Sequence, residues 1–173
     1  MEDLSEQSLE KFLDSVGEDT PAPGGGTSSA VTTALAAALV EMAARLAHDG
    51  AAAEAARGMR GDALRLAEEE LTSYAAVLEA ETPADRTTAL DAASEPPAQI
   101  AETAASVAEL GVKVAGSSSA AVRGDALTGV ILAESAAAAA ARLVQTNITS
   151  GPGFDRAREA AERAAKARAS AAV

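Results

Sequence analysis

The sequence predicts an all-helical fold, an up-and-down bundle of five to six helices, and three observations lead there. More than a quarter of the 173 residues are alanine, which has the highest helix propensity and the smallest footprint at a helix–helix contact. Two Phe, one Tyr and no Trp leave too few large side chains to fill a sheet sandwich. Glycine and proline clusters interrupt the apolar stretches at helix-length intervals, so sequence neighbours are expected to pack antiparallel through short connections. The length suits one domain, taken as residues 1–173, with a core of its own. Helices this rich in Ala each bury little area. A homodimer is therefore expected, because pairing two bundles buries more.

The first helix is expected from about Asp3 to Val16, where Leu9, Phe12, Leu13 and Val16 follow the helical period and Gly17 offers a stop. The run Thr20-Pro21-Ala22-Pro23-Gly24-Gly25-Gly26-Thr27-Ser28-Ser29 comes next. Its prolines fix φ, its glycines let the backbone approach a neighbour closely, and Thr27, Ser28 and Ser29 are candidate N-caps. A long helix follows from about Thr27 to His48, closed by Gly50. Val31, Leu35, Leu39, Met42 and Leu46 form one stripe on it and alanines fill most other positions, which predicts a central helix. A third helix is expected from Ala51 to about Glu81, ended before Pro83, with Gly58 and Gly61 marking a candidate break. A short segment, Asp85 to Ala93, precedes Ser94-Glu95-Pro96-Pro97, and the prolines suit the first turn of a helix running to about Ala115. After the loop Gly116 to Ser119 another long helix covers about Asp125 to Thr149. Gly151-Pro152-Gly153 separates it from a last charged helix, Phe154 to Ala169, with a tail to Val173 expected to fray.

Composition narrows the function. A net charge of -12 without a basic stripe disfavours nucleic acid and anionic membrane surfaces as partners. An anionic ligand would need a local Arg or Lys patch. No cysteine means no disulfide, no thiolate nucleophile and no zinc–sulfur site, and with His48 as the single histidine no metal site is expected. The start Met1-Glu2-Asp3 does not read as a signal peptide, and no apolar run is read as reaching the ~18–20 residues of a membrane span, so a cytoplasmic protein is expected.

Four constellations are candidates for chemistry. The glycine loop reads equally as a ligand contact built from helix N-terminal N–H groups or as a tight helix crossing; it is neither a phosphate-binding loop of the Gly-Lys-Thr kind nor a dinucleotide fingerprint. Glu70, the last of Glu68-Glu69-Glu70, shares a helix face with Tyr74, and a carboxylate beside a phenol is a proton-transfer pair; alone, such a run reads as a solvated acidic patch. In Arg123-Gly124-Asp125 the carboxylate reads as a helix cap and the guanidinium as an anion contact. In Gln145-Thr146-Asn147 the final amide reads as a cap or as a partner for a ligand ring edge. His48, beside Asp49-Gly50, reads as a helix terminator rather than a catalytic group.

Taken in order, these pieces resemble the cyclodeaminase/cyclohydrolase family, which includes the C-terminal domain of formiminotransferase-cyclodeaminase and stand-alone methenyltetrahydrofolate cyclohydrolases. The resemblance runs from Phe12 to about Ile148. Its most specific part is Thr-Pro-Ala-Pro-Gly-Gly-Gly-Thr/Ser before a small-residue helix, matched by residues 20–28 almost letter for letter. Tyr74 and Leu78-Glu79-Ala80 fall into the register of a second family pattern, with Glu70 where the family has Asp. Asp125 matches the Asp ahead of the last long family helix and Asn147 its final Asn. Ser118-Ser119 stands where the family has Gly-Asn, Leu143 where it has another Asn, and His48-Asp49-Gly50 where basic residues often follow.

The resemblance implies a one-carbon enzyme acting on tetrahydrofolate derivatives, with no cofactor beyond that substrate. It implies hydrolysis of 5,10-methenyltetrahydrofolate to 10-formyltetrahydrofolate, or cyclodeamination of formimidoyltetrahydrofolate. Hydrolysis is preferred here because no formiminotransferase domain is fused to the chain. It implies Asp125 or Glu70 as the acid/base group. Pro23, Gly24, Gly25, Gly26, Thr27 and Tyr74 would line the substrate, Arg123 would hold a folate carboxylate and Asn147 would contact the ring. A diverged member that binds a small molecule or joins a complex without catalysis, and an enzyme for a non-folate imine or amidine, are the alternatives.

Overall fold

The structure, a computed structural model, describes residues 4–171; Asp3, where the first helix was expected to begin, and the last two residues of the tail lie outside them. A single 3-10 turn at Leu4–Glu6 is tied to the bundle through the Leu4 N–H, which donates to the Glu68 carboxylate. Helix α1 (Leu9–Gly17) begins later than its apolar pattern suggests, because the Ser8 hydroxyl accepts from the Lys11 N–H at 3.2 Å and fixes the start. Of its stripe only Phe12 is buried; Leu9 and Leu13 are exposed.

The remaining helices are α2 (Gly25–Leu46), α3 (Gly50–Ser73), α4 (Ala75–Glu79), α5 (Pro83–Ala93), α6 (Glu95–Ser117), α7 (Ala120–Asn147) and α8 (Pro152–Ala171), with no strand among the described residues. Helices α2, α6 and α7 pack on one another, α3 covers α2 and α6, and α8 covers α6 and α7. Several boundaries differ from the expected ones. Thr27, Ser28 and Ser29 lie inside α2 and do not cap it; Gly24 is the N-cap, and the Ser29 hydroxyl donates back to the Gly25 carbonyl at 2.7 Å. Helix α3 runs through Gly58 and Gly61 unbroken and stops at Ser73, with Tyr74 separating it from α4. Helix α7 starts at Ala120 with Ser119 in the cap position, so Asp125 lies within the helix and is not its cap.

The α2–α3 corner is closed by His48, at φ 58° in the left-handed region. The Asp49 N–H donates to the Ala44 carbonyl at 2.9 Å and the His48 N–H to Arg45 at 3.1 Å, the paired bonds of a Schellman ending. Asp49 then caps α3 by accepting the Ala52 N–H at 3.0 Å. Histidine thus holds the position a glycine would usually take, and Gly50 is simply the first residue of α3.

Helix α2 is central, as expected, and it is its alanine face that turns to the core. Its buried face is Ala30, Ala37, Val40, Ala43 and Ala44, while Leu35 and Leu46 are 55% and 57% exposed. Glycines explain why alanine goes inward. A Cβ on Gly129 would lie 3.0 Å from both the Ala36 carbonyl oxygen and Val40 Cγ2, and one on Gly111 would lie 2.7 Å from Val130 Cγ2. The central helices approach too closely for leucine on that side. Helices α2 and α7 are in fact long and apolar enough to cross a membrane, contrary to the sequence expectation, and roughly half of each apolar window is buried in the bundle. Ion pairs between half-exposed groups, Arg156–Glu95 at 2.8 Å and Arg163–Glu109 at 2.8 Å, fix α8 to α6 and add about 0–1 kcal/mol each.

Candidate functional site

Three helix ends converge on one cleft. Gly24 starts α2 in an extended conformation with no side-chain cap, and Ser28 is the first residue whose N–H bonds back into the helix, to the Gly24 carbonyl at 3.0 Å. The N–H groups of Gly25, Gly26 and Thr27 precede that bond and are left as donors at the positive end of α2. The last turn of α3 contributes Glu70 and Ser73, with Tyr74 at the junction; the end of α7 contributes Leu143 and Asn147. Pro21, Ala22, Ala93 and Pro97 complete a cleft of about 210 Å³.

Glycine at position 26 leaves the room that the Glu70 side chain occupies. A Cβ there would collide with the Glu70 carboxylate, which lies directly against the backbone of the first α2 turn. No described donor hydrogen-bonds that carboxylate, and burial without compensation pushes its pKa up to about 7. Both protonation states are then populated at neutral pH, the condition that favours general acid–base work. Tyr74, one turn on, is 38% exposed and brings a phenol to the same wall. Among the described residues no group of three His, Cys, Asp or Glu stands together to hold a metal ion.

Of the residues singled out in the sequence, Gly24, Gly25, Gly26, Thr27, Glu70, Tyr74 and Asn147 line this one cleft. Pro23 is not among the lining residues; Pro21 and Ala22 take that wall, and the Ala22–Pro23 peptide is cis. Arg123 and Asp125 are exposed near the other end of α7, some 33 Å or more from Asn147 at ~1.5 Å per residue. Two positions apart on a helix, they also point to nearly opposite sides. Within one chain they cannot share a ligand with Glu70. Leu143 was noted in the sequence only as a departure, yet it forms a wall over Gly25, where a Cβ would lie 3.5 Å from its Cδ2. Ser73 and Pro97 had no sequence signal beyond adjacency to Tyr74 and the start of a helix.

Comparison with known proteins bears on the fold and the family. None of the curated proteins matches the chain. The solved structure of formiminotetrahydrofolate cyclodeaminase from Thermotoga maritima superposes with a TM-score of 0.88 at 22% identity, covering 96% of this chain and 94% of that one, and so shares the fold. The family model described as formiminotransferase-cyclodeaminase matches residues 8–166, a span that takes in the glycine loop, Glu70 and Asn147 together, and the chain belongs to that family.

Proposed function

We propose that the chain catalyses one-carbon chemistry on a tetrahydrofolate derivative, with Glu70 shuttling the proton. The observation that carries this reading is Glu70 itself, a partly buried carboxylate with a pKa of about 7 set against the N-terminal donors of α2 in the cleft those helix ends share. Family membership supplies the substrate class. In cyclodeamination, N10 of formimidoyltetrahydrofolate adds to the carbon of the protonated formimidoyl group, –CH=NH2+, whose C=N bond becomes the C–NH2 bond of a tetrahedral adduct. The Glu70 carboxylate takes the N10 proton, and its acid form returns that proton to the departing amino group, so that the C–N bond breaks, ammonia leaves and the cationic methenyl bridge remains. One group serves both steps because its pKa lies between the roles of base and acid. The Gly25, Gly26 and Thr27 N–H groups are donors for a ring carbonyl, and the Asn147 amide offers a donor and an acceptor to a ring edge.

Hydrolysis of 5,10-methenyltetrahydrofolate, preferred in the sequence reading, is the second reading. It uses the same shuttle with water as the nucleophile and a folate nitrogen as the leaving group. The experiment is to follow methenyl absorbance in both directions. Its appearance from formimidoyltetrahydrofolate with release of ammonia supports cyclodeamination. Its loss above the spontaneous rate supports hydrolysis. No acceleration of either, with no folate binding by calorimetry, overturns both.

A further inference from the structure

Helices α4 and α5 are held to the bundle far more loosely than the helices they join. Of Ala75–Ala93 only Val77 and Ala93 are buried, and the one large apolar side chain of α5 is the partly buried Leu90. The hydrogen bonds of the segment stay within it: Thr82 Oγ1 accepts the Asp85 N–H at 3.1 Å, and Arg86 Nη1 donates to the Val77 carbonyl at 3.4 Å. Among the described residues no ion pair ties the segment to another helix, whereas ion pairs fix α8 to α6. Helix α5 also borders open space on both flanks. One gap, of about 340 Å³, lies between Thr87, Leu90 and Asp91 and the stretch Asn147–Ser150 that leads out of α7. The other, of about 420 Å³, lies between α5 and α4, bordered by Thr88 and Ala92 on one side and Ala76 and Ala80 on the other. Each gap far exceeds the ~30 Å³ share of one water, so solvent rather than packed side chains supports α5 there.

The junctions at either end are single residues. Tyr74, at φ -88° and ψ -8°, joins α3 to α4, and Ser94, at φ -87° and ψ -12°, joins α5 to α6. Both lie near the bridge region, and element-terminal residues of this kind absorb the torsion changes of hinges. Pro96 and Pro97 explain the second break: neither has an N–H to bond back to the last turn of α5, so no continuous ladder crosses Ser94. Tyr74 and Ala93, at the two ends of the segment, both line the Glu70 cleft, and Asn147 lines both that cleft and the 340 Å³ gap. We propose that Ala75–Ala93 is a lid, hinged at Tyr74 and Ser94, that closes the gap beside Asn147 when the cleft is occupied and shuts water away from the one-carbon centre. The part played by water rests on the folate-type reading of the cleft.

Closure decides between the two reactions that Glu70 supports. In the open cleft, water reaches the methenyl bridge. Its oxygen adds to the bridging carbon, the bond from that carbon to N5 breaks, and the formyl group stays on N10. One of the water protons passes to N5 and the other is released. In the closed cleft, cyclodeamination finishes before water enters. A loosely held segment suits this role, because lids are drawn from the low-stability parts of a fold. Leu90 is the side chain that closing buries, since it alone on α5 brings a large apolar surface to the gap beside Ile148.

Hydrogen exchange read by mass spectrometry tests the lid in the free protein. Amides of α5 should exchange at least ~10-fold faster than those of α6 and α7. Exchange as slow as in α6 overturns the lid whatever the ligand. Arg86 is the only basic residue between Arg65 and Lys113, so trypsin cleavage within the lid is read separately, as a fragment of residues 1–86. With saturating 5-formyltetrahydrofolate, bound by calorimetry, α5 exchange and cleavage at Arg86 should both slow by at least ~10-fold. Unchanged rates with the folate bound overturn closure. For the water barrier, Leu90→Ala should keep the wild-type thermal midpoint and raise the ratio of formyl to methenyl product from formimidoyltetrahydrofolate at least ~3-fold. A lowered midpoint makes Leu90 a fixed part of the core, and an unchanged ratio leaves the lid no role against water; either overturns that role. If no folate binds, the substrate reading falls by itself: fast α5 exchange in the free protein still supports the hinged segment, and slow exchange still overturns it.

Discussion

Two carboxylates of the same residue type lie in this bundle under opposite conditions. Glu41, on α2, is 8% exposed and accepts from Arg45 Nη2 at 2.6 Å, Arg45 Nε at 3.2 Å and Arg60 Nε at 3.1 Å. The Arg45 hydrogen bonds, reinforced by the Arg60 charge against the cost of burial, hold it below the usual carboxylate range. Glu70, on α3, is turned to the opposite end of the bundle, has no described donor on its carboxylate, and is raised to about 7 by burial. A partnered carboxylate fastens α2 to α3. An unpartnered one is kept available for a ligand. Burial alone does not separate a structural acid from a chemical one; the presence of a compensating donor does.

The comparison breaks most visibly at Glu70. Replacing it with Gln should lower turnover by ~10²–10⁴-fold, measured with saturating substrate. The same substitution should leave the fold more stable. A raised pKa means that the fold favours the neutral acid, so the Glu70 contribution to stability is fullest below about pH 4.5 and is lost as pH rises through about 7. Denaturant titrations should show Glu70→Gln gaining about 1–2 kcal/mol over wild type at pH 8, after allowance for solvent screening, and nothing at pH 4. Equal stability at pH 8 would remove the case for an uncompensated carboxylate.

Gly26→Ala tests the same site through the backbone. The new methyl displaces the carboxylate, a flexible side-chain end, rather than the helix. Turnover should fall by ~10²-fold, with stability within about 1 kcal/mol of wild type.

Glu41→Gln should show the reverse profile, with turnover within a factor of ~2 and stability lower by about 1–2 kcal/mol at neutral pH, since both arginines are well exposed and easily resolvated. Because the Glu41 pKa is lowered, its contribution is present above the ordinary carboxylate range and is lost as pH falls through the lowered value. The two glutamates thus give opposite pH slopes in the same thermal scan.

The smallest expected effect is at the corner that follows Glu41 and Arg45. His48→Gly relieves a left-handed histidine and should raise stability by ~0.5–1 kcal/mol, offset in part by unfolded-chain entropy, with no change in turnover.

Much of this was readable in the chain. The glycine loop, the shared face of Glu70 and Tyr74, and the position of Asn147 near a helix end all follow from local rules of backbone freedom and helical period, and these residues do meet in one cleft. Helix starts were less readable. Ser8 and Gly24, not the expected residues, hold the N-caps of α1 and α2, because a cap depends on which hydroxyl or backbone reaches an unpaired N–H in three dimensions. Leu143 was visible only as an exception, because an apolar wall over Gly25 has no motif.

By itself the sequence determined an all-helical chain of alanine-rich segments, the breakers between them, and a carboxylate in register with a phenol. Local propensity and periodicity suffice for those features, since each is settled within a few turns of backbone. Only the tertiary structure decided that the alanine face of α2 goes inward and its leucines outward, because that depends on how closely Gly111 and Gly129 let neighbouring helices approach. Only it separated Asp125 from Glu70 by the length of α7, and only burial against the first turn of α2 moved Glu70 to a pKa of about 7. Periodicity fixes where residues stand on their own helix; the distance between helices, and the water that distance excludes, fixes what those residues can do.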